Sequence, residues 1–280
     1  MMEFLHLMAT PFAACLVLTG IHAYLGLHVI ERGVIFVDLA LAQIAALGAA
    51  VGFLFGFGFH HNANYLLSLG FTFLGAGIFS ATRFREGKIP HEAIIGVVYA
   101  VAAAATILVI SRAAEGGEEL KSLLVGHLLL ASWQEVAKVA AIYSVVGLLH
   151  WLARKRLMLI SQNPEEAFAR GIRVRWWDLF FYATFGLVVT SSVEMAGVLL
   201  VFSFLIVPAI CGVLLAEGTT RRLQVGWGIG ALASSLGISA SYIFDLPTGA
   251  AVVCAFGGIL LLAACLRHIA GILRPLLQRP

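Results

Sequence analysis

An acid and an amide inside an apolar stretch are the residues of this sequence whose types most suggest chemistry. Asp38 and Gln43 lie in FVDLALAQIAALG, residues 36–48, which otherwise has the composition of a membrane-spanning helix. An ionised carboxylate inside a membrane costs at least about 2.5 kcal/mol, so such residues usually face a protein interior or a wet path. We therefore predict that Asp38 lines a cation path. The alternative is a buried acid that hydrogen-bonds a neighbouring helix.

Gln43 and one pair of histidines are further candidates. Gln43 is five residues from Asp38 and turned well away from it at helical spacing, so interhelical packing is as good an explanation as ion binding. His60 and His61 follow the second apolar stretch, where neutral imidazoles can receive a borderline metal such as zinc. Two solvated loop histidines are the alternative. His22 and His28 are six residues apart, which turns them about 120° from each other and excludes a ligand pair on one helix.

Motifs of soluble-enzyme chemistry are absent from the sequence. There is no phosphate loop of the form GxxxxGK[ST] and no GxSxG elbow, and His91-Glu92 lacks the second histidine of a zincin motif. We predict that the chain is not an enzyme, hydrolyses no ATP and binds no cofactor. Any active transport would then draw its energy from a gradient or from another subunit.

The elements that must position these residues are membrane spans. Of 280 residues, 61% are hydrophobic and 12% are charged, against about a quarter charged in soluble domains. We predict an all-α, polytopic integral membrane protein with about eight or nine spans in a single domain, residues 1–280. The candidate stretches, each near the roughly 20 residues that a span needs, are Phe4–Ile30, Val34–Phe57, Tyr65–Ser80, Ala93–Ile110, Val136–Leu152, Leu179–Ser192, Ala196–Leu215, Val225–Phe244 and Ala250–Cys265.

The breaks between these stretches carry basic residues unevenly. If the spans alternate, only Arg112, Lys121 and Lys138 of the 18 lysines and arginines lie on or near one side. The positive-inside rule then places the N-terminus outside and the C-terminus in the cytoplasm. SSVE, residues 191–194, is predicted as the break before the seventh span, inside which Pro208 predicts a helix kink.

The longest predicted cytoplasmic segment contains ISQNPEEAFARGIRVR and carries the signals of a short helix. In order, they are a cap at Asn163, Pro164 at the first position, Glu165 and Glu166 in the first turn, and Gly171 at the end. A self-capped helix between two spans indicates docking onto a cytoplasmic partner. An interfacial amphipathic helix is the alternative.

Five segments in order resemble the permease subunits of metal-ion ABC transporters, the zinc and manganese uptake family. They are ERGVIFVDLALAQIAALG from residue 31, SLLVGHLLLASWQEV from 122, NPEEAFARGIRV from 163, EMAGVLLVFSFLIVPAICGVLL from 194 and DLPTGAAVV from 245. Together they cover most of residues 20–262. Five motifs in order at matching spacing form a specific signal, although each alone is weak.

The resemblance implies a homodimeric permease of the inner membrane that imports zinc, manganese or iron as its transported substrate. Its partners would be two cytoplasmic ATPase subunits and an extracytoplasmic metal-binding protein. The segment at about 155–175 would couple to the ATPase through Pro164, Glu165, Glu166, Ala167 and Gly171. An ABC permease for a non-metal or metal-chelate substrate, or a stand-alone secondary cation transporter, is the alternative.

The sequence departs from the family pattern beside Asp38. Ala42 holds the position of the family's histidine, and Gln43 follows it. An amide oxygen is a poor ligand for zinc and a tolerable one for harder cations. The resemblance therefore carries over the family's architecture more directly than its metal.

Overall fold

The computed structural model describes residues 2–57, 61–83, 89–112 and 126–277, with side-chain environments from residue 7 to residue 269 within those ranges. This part of the chain is helical and contains no strand. The helices are α1 Met2–Arg32, α2 Val37–Leu54, α3 Asn62–Ala81, α4 His91–Ile110, α5 Trp133–Gln162, α6 Pro164–Ala169, α7 Val174–Ala196, α8 Val198–Leu215, α9 Thr219–Phe244 and α10 Thr248–Leu277, with a 3₁₀ turn at Leu128–Leu130.

Nine of the helices in the described ranges are long and apolar enough to cross a membrane, and only α6 is too short. This confirms the prediction of an all-α, polytopic membrane protein. His60 lies outside the described residues, whereas the other candidate site residues lie within them.

The chain divides into two compact units. The first comprises Met1–Ile30, Leu128–Val136 and Leu199–Pro280, and the second comprises Glu31–His127 and Ala137–Val198. Asp38, Gln43 and α6 belong to the second unit, and Pro208 belongs to the first.

In the first unit, α1 packs so closely on α8 that one position accepts only glycine. A Cβ atom on Gly26 would lie 2.0 Å from the backbone oxygen of Leu205, whereas a Cβ on Gly20 of the same helix would meet nothing within 4 Å. Small residues permit such backbone approach between membrane helices. Gly26 therefore sets the distance between the two helices.

Gly26→Ala is expected to lower the free energy of unfolding of the detergent-solubilised protein by about 1–3 kcal/mol or more, because a backbone atom must move to admit the methyl group. Gly20→Ala is the matched control, with an expected effect within about 1 kcal/mol. Both are measured by unfolding in mixed micelles. Equal stability of the two variants would show that the helices do not touch at Gly26.

The break predicted at SSVE, residues 191–194, is wrong. These residues lie inside α7, which ends at Gly197 with φ 77°. The hydroxyls of Ser191 and Ser192 donate to carbonyl oxygens four residues earlier, at 2.9 and 2.5 Å. Serines bonded in this way remain inside a helix, so the glycine marks the boundary.

Pro208 lies inside α8, which runs without interruption from Val198 to Leu215. Proline removes one backbone donor from a helix. The predicted kink at this position stays a prediction.

Candidate functional site

Asp38 lies in the first turn of α2 and is only 1% exposed. Its Oδ1 atom is buried and has no hydrogen-bond partner among the described residues. The turn that precedes it is held by the backbone N–H of Phe36, which donates to Glu92 Oε1 at 3.0 Å. Buried carboxylate oxygens are normally satisfied, so an unsatisfied one is an available ligand for a cation.

A buried tyrosine on another helix links Asp38 to a group of hydroxyls. Tyr143 of α5 is close enough to Asp38 to interact with it electrostatically. The Tyr143 hydroxyl shares a hydrogen bond with Ser192 of α7, and both side chains are buried. Three helices of the second unit thus bring a carboxylate and two hydroxyls into one buried region.

Two more hydroxyl pairs extend this region along α7. Ser191 shares a hydrogen bond of 2.8 Å with the Tyr65 hydroxyl, and Thr190 shares one of 3.0 Å with Thr72. Three consecutive residues of α7 therefore face hydroxyls of α3 or α5. We call Thr72, Tyr65, Tyr143 and residues 190–192 the hydroxyl cluster.

The hydroxyl cluster was not predicted as part of the site. The sequence predicts an outer break at SSVE, which overlaps the end of the stretch Leu179–Ser192 and gives its two serines no role inside a span. A usable signal was present, since Thr190, Ser191 and Ser192 are three consecutive hydroxyl residues after the apolar run FGLVV. Their partners are more than 45 residues away in the chain, so spacing alone does not identify them.

Gln43 is buried in α2 and only 9% exposed, and Ala42 beside it is 1% exposed. Five residues of helix turn Gln43 about 140° from Asp38, so the two side chains leave α2 in different directions. Ion binding by Gln43 stays a prediction.

His61 is the N-cap residue of α3 and is exposed. Its Nδ1 accepts the backbone N–H of Ala63 at 3.2 Å, and its ring stacks on Phe57 with centroids 5.9 Å apart. Asp38 is the second residue of the 18-residue helix α2, which is about 27 Å long, and His61 follows the far end of that helix. The structure therefore does not bring His61 to Asp38.

The described residues contain no group of three or more His, Cys, Asp or Glu side chains that could hold a metal ion. Asp38 itself offers carboxylate oxygen, and oxygen ligands suit hard cations better than they suit zinc. Further ligands for an ion at Asp38 would have to come from backbone, water or a second chain.

A second buried carboxylate, Asp178 of α7, is fully paired. Arg32 Nη1 donates to its Oδ1 at 2.7 Å, and Arg83 Nη1 donates to both oxygens at 2.8 and 2.9 Å. Arg32 Nε also donates to Ser161 at 2.9 Å, and its guanidinium stacks 3.9 Å above the Phe181 ring. Asp178 was predicted in a polar break, but it is an ion-pair centre near the start of a span.

The short helix α6 has the predicted self-capped structure. Asn163 Oδ1 accepts the backbone N–H of Glu166 at 3.1 Å, and Glu166 forms an ion pair with Arg170. Gly171 ends the helix with φ 72°, a conformation that favours glycine. The prediction of a helix over Pro164–Ala169 is confirmed.

One side of α6 is anchored and the other is open. Ala167 is fully buried in a small apolar cluster with Ile160 of α5 and Val174 of α7. Glu165 is exposed on the helix. Displacement of α6 would therefore act directly on the two spans that flank it.

Nine apolar helices in the described ranges define a multi-pass membrane protein, and a buried available carboxylate and a short helix anchored between two spans fit the permease class. Residues 4–267 match the ABC 3 transport family, and the chain belongs to that family. The family resemblance noted from the motifs is thereby confirmed, and the protein is a multi-pass protein of the inner membrane.

The chain is similar to membrane proteins of metal transport systems. It is 26% identical over 236 residues to "Manganese transport system membrane protein MntC" of Listeria innocua, covering 82% of this chain and 79% of that protein. It is 24% identical over 246 residues to "Probable iron transport system membrane protein" of Haemophilus influenzae, covering 88% of each. A solved structure, "PsaBC from Streptococcus pneumoniae in complex with Fab", shares the fold with a TM-score of 0.77 and 22% identity over 94% of both chains.

Proposed function

We propose that this chain is the permease subunit of an ATP-binding-cassette importer for a divalent metal ion. The observation that carries the proposal is Asp38, a buried carboxylate in a span with one oxygen available to a ligand. An uncompensated acid in a membrane is costly. A passing cation would compensate it.

The donor set favours a hard cation, manganese or iron(II), over zinc. Asp38 offers carboxylate oxygens, Tyr143 of the hydroxyl cluster interacts with it electrostatically, and Ala42 stands where the family's histidine would add a nitrogen ligand. Oxygen donors suit Mn²⁺, whereas zinc prefers nitrogen and sulfur. The names of the relatives from Listeria innocua and Haemophilus influenzae refer to manganese and iron, in keeping with this choice.

Two copies of the chain would complete the path. One chain offers too few charged ligands for a divalent ion among its described residues, and a second Asp38 from a symmetric copy would double the carboxylates. Two-fold symmetry is the commonest arrangement of homo-oligomers.

The energy source would be a separate ATPase subunit that docks on α6, and an extracytoplasmic metal-binding protein would deliver the ion. The exposed side of α6 is available for docking, and Ala167 would transmit its movement to α5 and α7. The distribution of basic residues supports a cytoplasmic position for α6. The N-terminus would then lie outside.

Co-purification tests the docking role of α6. The tagged chain is expected to retain an ATPase with a phosphate-loop motif, and Glu166→Lys is expected to reduce its recovery at least about tenfold, because the change removes the ion pair with Arg170 and reverses a charge. Glu217→Lys, the same change in an exposed turn, is the matched control and should retain the ATPase. Recovery that is unchanged in Glu166→Lys would contradict docking on α6.

A further inference from the structure

We propose that the groove between α5 and α7, beside α6, is a binding site for an anionic phospholipid. The groove holds about 580 Å³ and its floor and walls are apolar, formed chiefly by Leu149, Leu152, Trp176 and Phe180. That volume is within the usual range of small-molecule sites. The lining suits an acyl chain and the glycerol end of a lipid.

The head of the groove is basic. Arg173 lines the groove itself, and Arg154, Lys155 and Arg156 line an adjoining hollow of about 480 Å³ that shares Leu152 and Trp177 with it. All four basic side chains are exposed, and none forms an ion pair within the described part of the chain. We call these four residues the basic rim.

Aromatic rings hold two members of the basic rim in place. The Arg154 guanidinium lies 4.5 Å from the Trp151 ring centroid, and that of Arg156 lies 5.1 Å from the Trp177 centroid. Tryptophan is typical of the boundary between membrane and water. Arg154 Nη1 donates to the Trp151 carbonyl at 2.9 Å, and the remaining donors of the two stacked arginines are left for a phosphate.

The position of the groove favours a lipid rather than a protein as the molecule that occupies it. Leu152 and Trp176 are each 67% exposed on helices that are long and apolar enough to span the membrane, and in a membrane such exposed apolar side chains would face lipid. The basic rim then selects among lipids by charge, since basic pockets at the ends of spans bind anionic head groups. The occupant would be a phosphatidylglycerol or cardiolipin of the leaflet on the α6 side.

Native mass spectrometry of the full chain in detergent tests the site by titration with phosphatidylglycerol and with phosphatidylcholine of the same acyl chains. Phosphatidylglycerol is expected to bind at least about tenfold more tightly than phosphatidylcholine. Arg173→Gln is expected to weaken phosphatidylglycerol binding about fivefold and to leave phosphatidylcholine binding unchanged. Arg221→Gln, which removes an exposed arginine in the first unit, is the matched control and should bind like wild type.

The apolar groove is tested separately by filling it. Ala153→Trp places a ring where the acyl chain would lie and is expected to weaken phosphatidylglycerol binding without loss of charge, whereas Ala153→Ser should have no effect. If Ala153→Trp fails to fold, the proposal is tested by the binding of phosphatidylglycerol and phosphatidylcholine to the wild type and to Arg173→Gln.

Three outcomes would overturn the proposal. Equal affinity for the two lipids would show that the basic rim does not select charge. Competition by inorganic phosphate at the concentration of the lipid would show a site for a free anion. A photo-crosslinker at position 153 that captures the ATPase or a second copy in membranes would show that a protein covers the groove.

Discussion

Asp38→Asn is expected to reduce metal uptake by more than about tenfold while the chain still folds and still retains its ATPase. Asparagine keeps the shape of the side chain but removes the charge that would bind the cation, and even indirect disturbance of metal ligation costs about 10–100-fold. Because the wild-type carboxylate is buried with an unsatisfied oxygen, its neutral replacement should leave stability equal or higher. Uptake in cells and unfolding of the purified protein measure the two effects.

The combination of lost transport with retained stability is what separates an ion ligand from a packing residue. Glu217→Gln, which neutralises an exposed acid in a turn, is the matched control and should transport normally. Normal uptake by Asp38→Asn would show that Asp38 has a structural role. It would also remove the main support for a cation path at this residue.

Asp178→Asn is expected to have the opposite effect, a loss of about 3–5 kcal/mol in the free energy of unfolding. The change leaves Arg32, whose side chain is fully buried, without its carboxylate, and it also unpairs Arg83. Removal of one partner strands a buried charge, which costs more than the pair contributes. Unfolding in mixed micelles, with expression level as a second readout, measures the loss.

Arg83→Gln is the control for Asp178→Asn. The Arg83 side chain is 15% exposed, and its removal leaves the pair between Arg32 and Asp178 intact. The loss in free energy of unfolding should therefore be clearly smaller for Arg83→Gln than for Asp178→Asn. Equal stability of Asp178→Asn and wild type would show that Arg32 finds another partner or water.

The sequence predicted local structure best where the signals are local. Asn163, Pro164 and Gly171 are within nine residues of one another and specify α6 by capping, first-position geometry and a positive φ. The spans followed from apolar length in the same way. Neither prediction requires knowledge of what a residue contacts across the fold.

The parts that the sequence did not predict depend on partners that are distant in the chain. Asp178 pairs with Arg32 across 146 positions, and Tyr143 meets Ser192 across 49. A polar residue near the end of a span has the same local pattern whether it faces water or a buried arginine. The serines at 191 and 192 were predicted in a break because their side-chain partners, Tyr65 and Tyr143, are 126 and 49 positions away in the chain.

Asp38 was predicted from the sequence in part. Its type and depth predicted a buried functional acid from the cost of a charge in the membrane, and the structure shows the burial and the available oxygen. Its electrostatic interaction with Tyr143 of α5 could be found only from the fold. Gln43 and His61 remain predictions, the first turned away from Asp38 along α2 and the second beyond the far end of that helix.

Transport by the purified complex in proteoliposomes tests the central claim most directly. The chain is reconstituted with its ATPase and metal-loaded binding protein, and uptake of radioactive Mn²⁺ is followed with and without ATP. We predict uptake that requires both ATP and the ATPase and that is lost in Asp38→Asn. Equal uptake by the chain alone, without the ATPase, would contradict the account.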